Sequence, residues 1–364
     1  MNIIILLIIV SSTSLTKGSP AVVELPLGKV EGNIKNSVNV NKFYSFEGIP
    51  YAKPPVGENR FEEPKPLEPW NNTWVAKTIH KCLQFRHQPE SSKEDPVTGS
   101  EDCLYLNIYT PTLDERANLD VIIFIHGGAF MFNYGAFQGF LSTEDDVVPG
   151  NNGLKDQIAA FKFVRDYIVY FGGNPNSVTI TGNSAGGASV HFHYLIRRSI
   201  GLFHKGFSQS GTSLNPWVLM EEPLKKDKEN CYINRPWLYN PFSPFGVVVD
   251  AWANDPLLPD HPYQLLKKKL VYDVPWIASH VNSEGLYPAA EFYSNDDYLK
   301  DIDKRWNKIL PHLLHYNETV ENKNLNTVSK KIREYYFGNK SVNKETFDNL
   351  VQVCISIIGD RDIK

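Results

Sequence analysis

The residues best suited to chemistry lie at the centre of the chain, where Gly182-Asn183-Ser184-Ala185-Gly186 has the pattern Gly-x-Ser-x-Gly. A β-rich run precedes the pattern and a run of small residues follows it. The two glycines permit the strained strand-to-helix turn that presents a serine hydroxyl for attack on a carbonyl. A plain Gly-Ser turn between a strand and a helix explains the same five residues, so the pattern alone is weak evidence for a nucleophile.

A second stretch, Ile125-His126-Gly127-Gly128-Ala129-Phe130, supplies what an attacking serine needs. Attack on a carbonyl creates a tetrahedral oxyanion, which is stabilised by donors that are already aimed at it. Consecutive small residues after an apolar strand let backbone N–H groups approach that oxygen closely. An ordinary Gly-Gly turn is the alternative, and the histidine and strand before it favour the oxyanion loop.

The elements around these two stretches alternate between strands and helices. Steps of three and four separate Leu154, Ile158, Phe161, Val164, Ile168 and Phe171, which predicts an amphipathic helix. Strands are predicted over residues 102–111, 120–130, 177–181 and 273–279, and a turn over 172–176. Such alternation predicts an α/β fold with a mostly parallel central sheet flanked by helices.

The two ends of the chain have other patterns. Proline and glycine punctuate residues 22–57, which predicts an N-terminal β meander. Residues 296–316 have a helical pattern that Pro311 should kink, and residues 343–358 predict one more helix. We find no interdomain linker and expect a single domain over residues 19–364.

Composition excludes several classes of protein. An apolar content of 42% and a charged content of 21% over 364 residues are typical of a globular chain. The net charge of −4 offers no basic surface for nucleic acid. After residue 18 no apolar run is long enough to span a membrane. We identify no metal-ligand motif, expect no cofactor, and leave the oligomeric state open.

The N-terminus predicts export. An apolar run from Ile3 to Val10 is too short to span a bilayer and fits the core of a signal peptide, which we place over residues 1–18. A buried N-terminal strand is the alternative. Export would put four cysteines in an oxidising compartment, where three pairings are open. Three glycosylation sequons, at Asn71, Asn317 and Asn339, fit a secreted, extracellular chain.

The sequence resembles the type-B carboxylesterase and cholinesterase family of α/β-hydrolases, and most of all the secreted insect carboxylesterases. The resemblance runs in family order across nearly the whole chain. It is carried by FEGIPYAKPPVGENRF, EDCLYLNIYTP, VIIFIHGGAF, GFLSTEDDVVPGNNGLKDQ, SVTITGNSAGGASVHFHY, GLFHKGFSQSG and NSEGLYPAAEF.

The resemblance assigns roles to particular residues. It implies hydrolysis of a small-molecule carboxylic ester through an acyl-enzyme, with Ser184 as the nucleophile and Glu284 as the acid of the triad. The oxyanion donors that it implies are Gly128, Ala129 and Ala185. It also implies a disulfide between Cys82 and Cys103 and an ion pair between Arg60 and Glu101, and gives Cys231 and Cys354 no partner.

This sequence departs from the family at the catalytic base, which in the family is a histidine. The family histidine lies in a Gly-x-x-His segment near the end of the domain, and no such segment precedes Lys364. After Glu284 the only histidines are His312 and His315, which fall on a helical pattern. The earlier candidates are no better placed: His126, His191, His193, His204, His261 and His280. We therefore expect the triad histidine to be absent and these residues alone to form a poor esterase.

Two internal gaps accompany that departure. The family has a further strand after Phe130, whereas here Gly139 follows within a few residues, so one strand of the sheet is expected to be missing and its neighbours unpaired. A second gap lies around residues 222–242. Asn183 and Asn174 also stand where many relatives have acidic residues. A truncated or alternatively spliced product, or an imperfect gene model, would explain these losses together.

Other functions remain open from the residues alone. Some members of the family are non-catalytic binding or adhesion proteins, although the intact Ser184 favours esterase ancestry. A lipase or another ester-directed hydrolase would share the chemistry. Core packing and an acyl pocket are equally good interpretations of Phe130, Phe132, Trp217 and Phe245.

Overall fold

The fold is organised around one eight-stranded sheet. The computed structural model describes residues 3–7, 21–85, 97–130, 137–220, 246–314, 316–317 and 320–358. The order of the strands in the large sheet is β13-β12-β11-β10-β1-β9-β5-β4. Its strands are β1 (Ile3–Leu7), β4 (Asn33–Asn36), β5 (Lys42–Pro50), β9 (Tyr105–Thr110), β10 (Leu119–Ile125), β11 (Gly173–Asn183), β12 (Lys205–Gln209) and β13 (Trp276–Ser279).

Four adjacent strands, β10 to β13, are parallel, as the alternation of strands and helices predicts. Their register pairs Ile125 with Gly182, Asn183 with Gln209, and Gln209 with Ser279. The carboxyl ends of all four strands therefore meet at one edge of the sheet. This is the edge where ligands bind in open α/β sheets.

At the other end of the sheet, β4, β5 and β9 are antiparallel. β5 pairs antiparallel with both β4 and β9. A small sheet of β2 (Val22–Leu25), β3 (Gly28–Glu31) and β6 (Trp74–Val75) lies beside it, and β7 (Gln84–Phe85) pairs with β8 (Val97–Thr98). The N-terminal meander predicted from the proline and glycine pattern is therefore present.

The place of the strand that the sequence is expected to lack after Phe130 is filled by another segment. Residues 137–150 contain one short 3₁₀ turn, Phe137–Phe140, and no strand. The prediction that the neighbouring strands would lose their partners is nevertheless wrong. β1 lies between β9 and β10, parallel to the first and antiparallel to the second. The alternative interpretation of the N-terminal run, a strand, is the one that the structure shows for Ile3–Leu7.

Helices cover the sheet and carry most of the remaining core. Along α1, all six residues of the predicted stripe are at most 2% exposed, counting Ile168 and Phe171 in the 3₁₀ turn that follows the helix. The helices are α1 (Asn152–Tyr167), α2 (Ala185–Leu195), α3 (Pro262–Lys267), α4 (Leu286–Ser294), α5 (Asp296–Lys304), α6 (Trp306–Leu313), α7 (Asn322–Phe337) and α8 (Phe347–Ile358).

The helical pattern over residues 296–316 is two helices rather than one. The break lies at Arg305, whose φ of −108° and ψ of 23° interrupt the helix, and not at Pro311, which α6 contains. Asp301 accepts from the guanidinium of Arg305, and Trp306 turns into the core. The break therefore exposes the charged side chain while burying the indole.

Two contacts implied by the resemblance are present near the small sheets. Cys82 and Cys103 form a disulfide, and Arg60 pairs with Glu101. Cys354 is a buried thiol on α8, whereas Cys231 lies outside the described residues. None of the helices in the described ranges is both long and apolar enough to cross a membrane.

Candidate active site

Ser184 occupies a sharp turn between β11 and α2. Its φ of 58° and ψ of −123° lie in a region that residues with a side chain rarely adopt. The backbone N–H of Ser184 donates to the carbonyl of Gln209 on β12 at 2.8 Å, and its own carbonyl accepts from Ala188 at 2.9 Å. The strained turn is thus held by the neighbouring strand and by the first turn of the helix.

Both glycines of the pattern are required by close backbone contacts. A Cβ on Gly182 would lie 2.4 Å from the carbonyl carbon of Gly186. A Cβ on Gly186 would lie 2.0 Å from the carbonyl oxygen of Ile125 on β10. These distances are shorter than any real side chain permits, so the pattern Gly-x-Ser-x-Gly is dictated by the space between β10, β11 and α2.

Gly211 is a third glycine of this kind. A Cβ there would lie 2.1 Å from the carbonyl oxygen of Ser184. The sequence patterns do not single it out for this role. Its signal is the Ser-Gly dipeptide directly after β12, which becomes meaningful only once the register of β11 and β12 is known.

The loop after β10 lies directly against Ser184. A Cβ on Gly127 would come within 2.6 Å of the carbonyl oxygen of Asn183 and 3.2 Å of the Cβ of Ser184. Gly128, Ala129 and Phe130 follow with φ values of 116°, 52° and 61°. Three successive left-handed residues turn the backbone sharply beside the serine, where its N–H groups can serve an oxyanion.

Ala185 is the first residue of α2. N–H groups in the first turn of a helix have no acceptor within the helix, and the helix dipole favours negative charge there. The three residues predicted as oxyanion donors, Gly128, Ala129 and Ala185, therefore flank Ser184 on its two sides.

Glu284 lies in a turn that follows β13. Its side chain is buried, and its Oε1 accepts from the backbone N–H of Val281 at 2.9 Å. Since Ser279 ends β13 in register with Gln209 and Asn183, this turn emerges at the same sheet edge as Ser184. Gly285 packs closely on α8, where a Cβ would lie 2.0 Å from the carbonyl oxygen of Val351.

Two histidines on α2 have structural hydrogen bonds. His193 is buried, with Nδ1 2.8 Å from Ser199 Oγ and Nε2 2.7 Å from Gln157 Oε1. His191 accepts the backbone N–H of Ser213 at Nδ1, 3.2 Å away, and stacks on Trp276. Burial lowers the pKa of His191 to about 4 and that of His193 to about 3. Both rings are therefore neutral parts of the core at neutral pH.

His126 is the first residue of the loop after β10. Its Nδ1 is 2.6 Å from the carbonyl oxygen of Gly127, which fits a ring N–H that donates to this oxygen. Burial lowers the pKa of His126 to about 4, and the hydrogen bond to Gly127 acts in the opposite direction. The ring thus helps to fix the backbone beside Ser184.

The other candidate histidines lie in other parts of the fold. His204 accepts the N–H of Val178, six residues from Ser184 along β11, which is roughly 20 Å of strand. His261 caps α3 and His312 lies on α6. His280 follows β13 with Nδ1 3.2 Å from the carbonyl of Val281. His315 lies outside the described residues.

The structure describes two of the four aromatic residues for which core packing and an acyl pocket were both open. Phe130 and Trp217 are each 7% exposed, with ring centroids 6.2 Å apart, and Phe130 also packs on Phe140. Both therefore belong to the core beside the oxyanion loop. Phe132 and Phe245 lie outside the described residues.

The two asparagines at family acidic positions make local contacts. Asn183 donates its side-chain amide to the carbonyl of Gln209 at 3.5 Å, and Asn174 accepts the N–H of Asn176 at 2.9 Å. Within the described residues no group of three or more His, Cys, Asp or Glu side chains is arranged to hold a metal ion.

A strained serine between a parallel strand and a helix, at the carboxyl edge of a mostly parallel sheet, defines the class of α/β-hydrolases. The structure is similar to that of juvenile hormone esterase from Manduca sexta with OTFP covalently attached. The TM-score is 0.77 with 27% identity, over 92% of this chain and 73% of that one. The chain belongs to the carboxylesterase family, whose model matches residues 19–137, 132–236 and 229–362.

Relatives in sequence are carboxylic ester hydrolases of insects. Venom carboxylesterase-6 of Apis mellifera is 39% identical over 380 residues, which cover 90% of this chain and 68% of the relative. Esterase FE4 of Myzus persicae is 37% identical over 397 residues, which cover 93% of this chain and 68% of the relative.

These comparisons also locate segments that relatives have and this chain lacks. Alignments of 380 and 397 positions exceed the 364 residues of the whole chain, so the relatives carry additional residues inside the aligned region. The family model matches in three segments, and successive segments overlap at residues 132–137 and 229–236. Both junctions coincide with the gaps expected from the sequence.

Proposed function

We propose that Ser184 is the nucleophile of a carboxylesterase that forms an acyl-enzyme. The observation that carries this proposal is the close approach of Gly127 to a strained Ser184 at the start of α2, directly before the sharp turn at Gly128 and Ala129. Attack of Ser184 Oγ on the ester carbonyl would place the oxyanion among the N–H groups of Gly128, Ala129 and Ala185. The alcohol then leaves, and water releases the acid from the serine.

Glu284 is the triad acid in this proposal. Its carboxylate lies at the sheet edge where Ser184 emerges, and the N–H of Val281 fixes one of its oxygens. In a serine triad the acid acts through a histidine, which it holds in the right tautomer and orientation. Glu284 therefore contributes to catalysis only when a histidine stands between it and Ser184.

The chain acts slowly in this proposal because none of the histidines that the structure describes serves as that base. The hydrogen bonds of His191, His193 and His204 occupy these rings in the core or beside the middle of β11. Serine is a weak nucleophile without a neighbouring base. Oxyanion stabilisation alone retains roughly 10³- to 10⁴-fold acceleration over water, far below that of an intact triad.

Export completes the proposed function. The disulfide between Cys82 and Cys103 is typical of an oxidising compartment, and the sequons at Asn71 and Asn339 are exposed. Asn317 is partly exposed. In this proposal the apolar run from Ile3 to Val10 directs the chain into the secretory pathway, and glycans are attached at these three asparagines. The substrate is a small-molecule ester.

Imidazole rescue tests the assignment of Ser184. The folded chain is incubated with a fluorophosphonate probe, with and without imidazole, and the adduct is mapped by mass spectrometry. Free imidazole can replace the absent base, so we expect it to accelerate labelling of the Ser184 peptide. Ser184→Ala is the control and should give no adduct there. Imidazole-dependent labelling of a different serine, unchanged in Ser184→Ala, would refute the assignment.

A further inference from the structure

β1 is an interior strand of the large sheet. All five residues of Ile3–Leu7 pair with β10, from Ile3 opposite Ile125 to Leu7 opposite Val121. Four of them also pair with β9, from Ile3 beside Leu106 to Leu6 beside Tyr109. In the sheet order β9 and β10 are not neighbours, so β1 provides the connection between the two halves of the sheet.

The strands on either side of β1 are deeply buried. Leu106 and Ile108 on β9 and Val121, Ile123 and Ile125 on β10 all have 0% exposure. Without β1, two interior strands would become open edges with unpaired N–H and C=O groups, which are prone to aggregation. β10 also ends at the loop that packs on Ser184, so the same pairing supports the oxyanion loop.

The occupant of this position lies outside the part of the chain that matches the family. The family match begins at residue 19, and its first segment gives way to the second at residues 132–137, shortly after β10. The relatives have additional residues within their alignments, and residues 137–150 here form no strand. Within the described residues, the strand between β9 and β10 is therefore supplied by residues that precede the family match.

We propose that the space between β9 and β10 is a slot for an extended apolar strand, and that residues Ile3–Leu7 fill it as a retained structural part of the folded protein. The run Ile-Ile-Ile-Leu-Leu is apolar throughout, which is typical of interior strands in α/β sheets. Thirteen residues separate Leu7 from Ala21, and an extended chain of that length reaches roughly 45 Å. The N-terminal run thereby has a structural role after targeting.

Cysteine pairs placed by the register test the occupancy of the slot. In the full chain, the pairs Ile3→Cys with Ile125→Cys and Leu7→Cys with Val121→Cys join residues that face each other. The mismatched pairs, Ile3→Cys with Val121→Cys and Leu7→Cys with Ile125→Cys, use the same four substitutions four residues out of register. The matched and mismatched chains therefore carry comparable packing defects.

We expect mild oxidation to cross-link the matched pairs at least ten times more than the mismatched pairs, with the peptides identified by mass spectrometry. Equal cross-linking of both sets, or none in a folded chain, would overturn the proposal. A second measurement uses unaltered protein secreted by insect cells, with its intact mass and the hydrogen exchange of residues 105–110 and 119–125. Retention of residues 3–7 with protected amides supports the proposal. Protected amides in a chain that begins after residue 18 would overturn it.

Discussion

The turn at Ser184 and the turn at Glu284 both emerge from the carboxyl edge of the parallel sheet, but they are held in different ways. Ser184 is fixed by three neighbouring backbone segments, through Gln209, Gly127 and Gly211. The carboxylate of Glu284 accepts from Val281 in its own turn, and the adjoining Gly285 rests on α8, near Val351.

The two turns also depend on different parts of the chain. The serine turn depends on interior strands between residues 119 and 211. The acid turn depends on the edge strand β13 and on a helix that begins more than sixty residues later. A chain with internal gaps can therefore keep the turn at Ser184 in place even where the surroundings of Glu284 differ.

The largest effect is expected from Gly186→Ala. The added methyl would collide with the carbonyl of Ile125 at 2.0 Å, so β10 or α2 must move. We expect a loss of about 3 kcal/mol or more in the free energy of unfolding. The measurement is denaturant unfolding of the folded chain.

Gly201→Ala is the matched control for Gly186→Ala. Gly201 has a φ of 81° and nothing within 4 Å of an added Cβ, so the variant carries backbone strain without a collision. We expect it to cost about 1 kcal/mol. A loss in Gly186→Ala no larger than in the control would show that the close contact is relieved cheaply.

Gly285→Ala is expected to have a smaller and more local effect. Its methyl would meet Val351 on α8, which is the last described helix and can shift without breaking the sheet. We expect a loss of about 2 kcal/mol, with faster hydrogen exchange in α8 and the Glu284 turn. Faster exchange in β10 to β12 as well would show that the two regions are not separable.

The buried ring of His193, behind the Ser184 turn on α2, is expected to make the stability of the fold depend on pH. The folded pKa of His193, about 3, lies below the ordinary value of 6.5, so the unfolded chain binds a proton first as the pH falls. The native ring therefore stabilises the fold above pH 6.5, and this contribution declines below it by roughly 1.4 kcal/mol per pH unit.

Other groups titrate in the same pH range, so the contribution of His193 is measured as the difference in stability between the unaltered chain and His193→Gln. Burial raises the pKa of Asp156 to about 6, which acts with the opposite sign, while Glu63, at about 2, acts only below pH 4.5. As the pH falls from 6.5 to 5, we expect the proton uptake on unfolding to become smaller in the variant by about half a proton at first and by nearly one proton at the end. The same slope in both proteins would contradict a neutral, buried His193.

The smallest effect is expected from Glu284→Gln. The amide oxygen can still accept from Val281, so the turn is preserved. Because the acid acts through a histidine, its removal should change imidazole-rescued labelling of Ser184 by less than about threefold. A loss as complete as that in Ser184→Ala would mean that Glu284 already works with a histidine of this chain.

The region around Ser184 could be predicted from the sequence to a greater extent than the region around Glu284. The turn at Ser184, β9, β10 and α1 were predictable because glycine spacing and apolar periodicity are local signals. Glu284 could be identified only through the family resemblance, since an isolated loop glutamate carries no pattern. α7 was not predicted, because only two of its residues, Ser329 and Phe337, are buried.

Two features depend on tertiary contacts that no local pattern contains. The apolar run at Ile3 is as suitable for a targeting segment as for a strand, and its pairing is set by the space between β9 and β10. The helix break at Arg305 was expected at Pro311 because proline is the local signal. Burial of Trp306 and the pairing of Arg305 with Asp301 accompany a break six residues earlier.

In the proposed function, Ser184 is presented for attack without a histidine base among the described residues. The most direct measurement is the second-order rate of fluorophosphonate labelling at Ser184, compared under identical conditions with that of venom carboxylesterase-6 from Apis mellifera. We expect labelling of this chain to be slower by at least about 10³-fold. Equal rates at Ser184 would contradict the claim and would mean that a histidine of these 364 residues completes the triad.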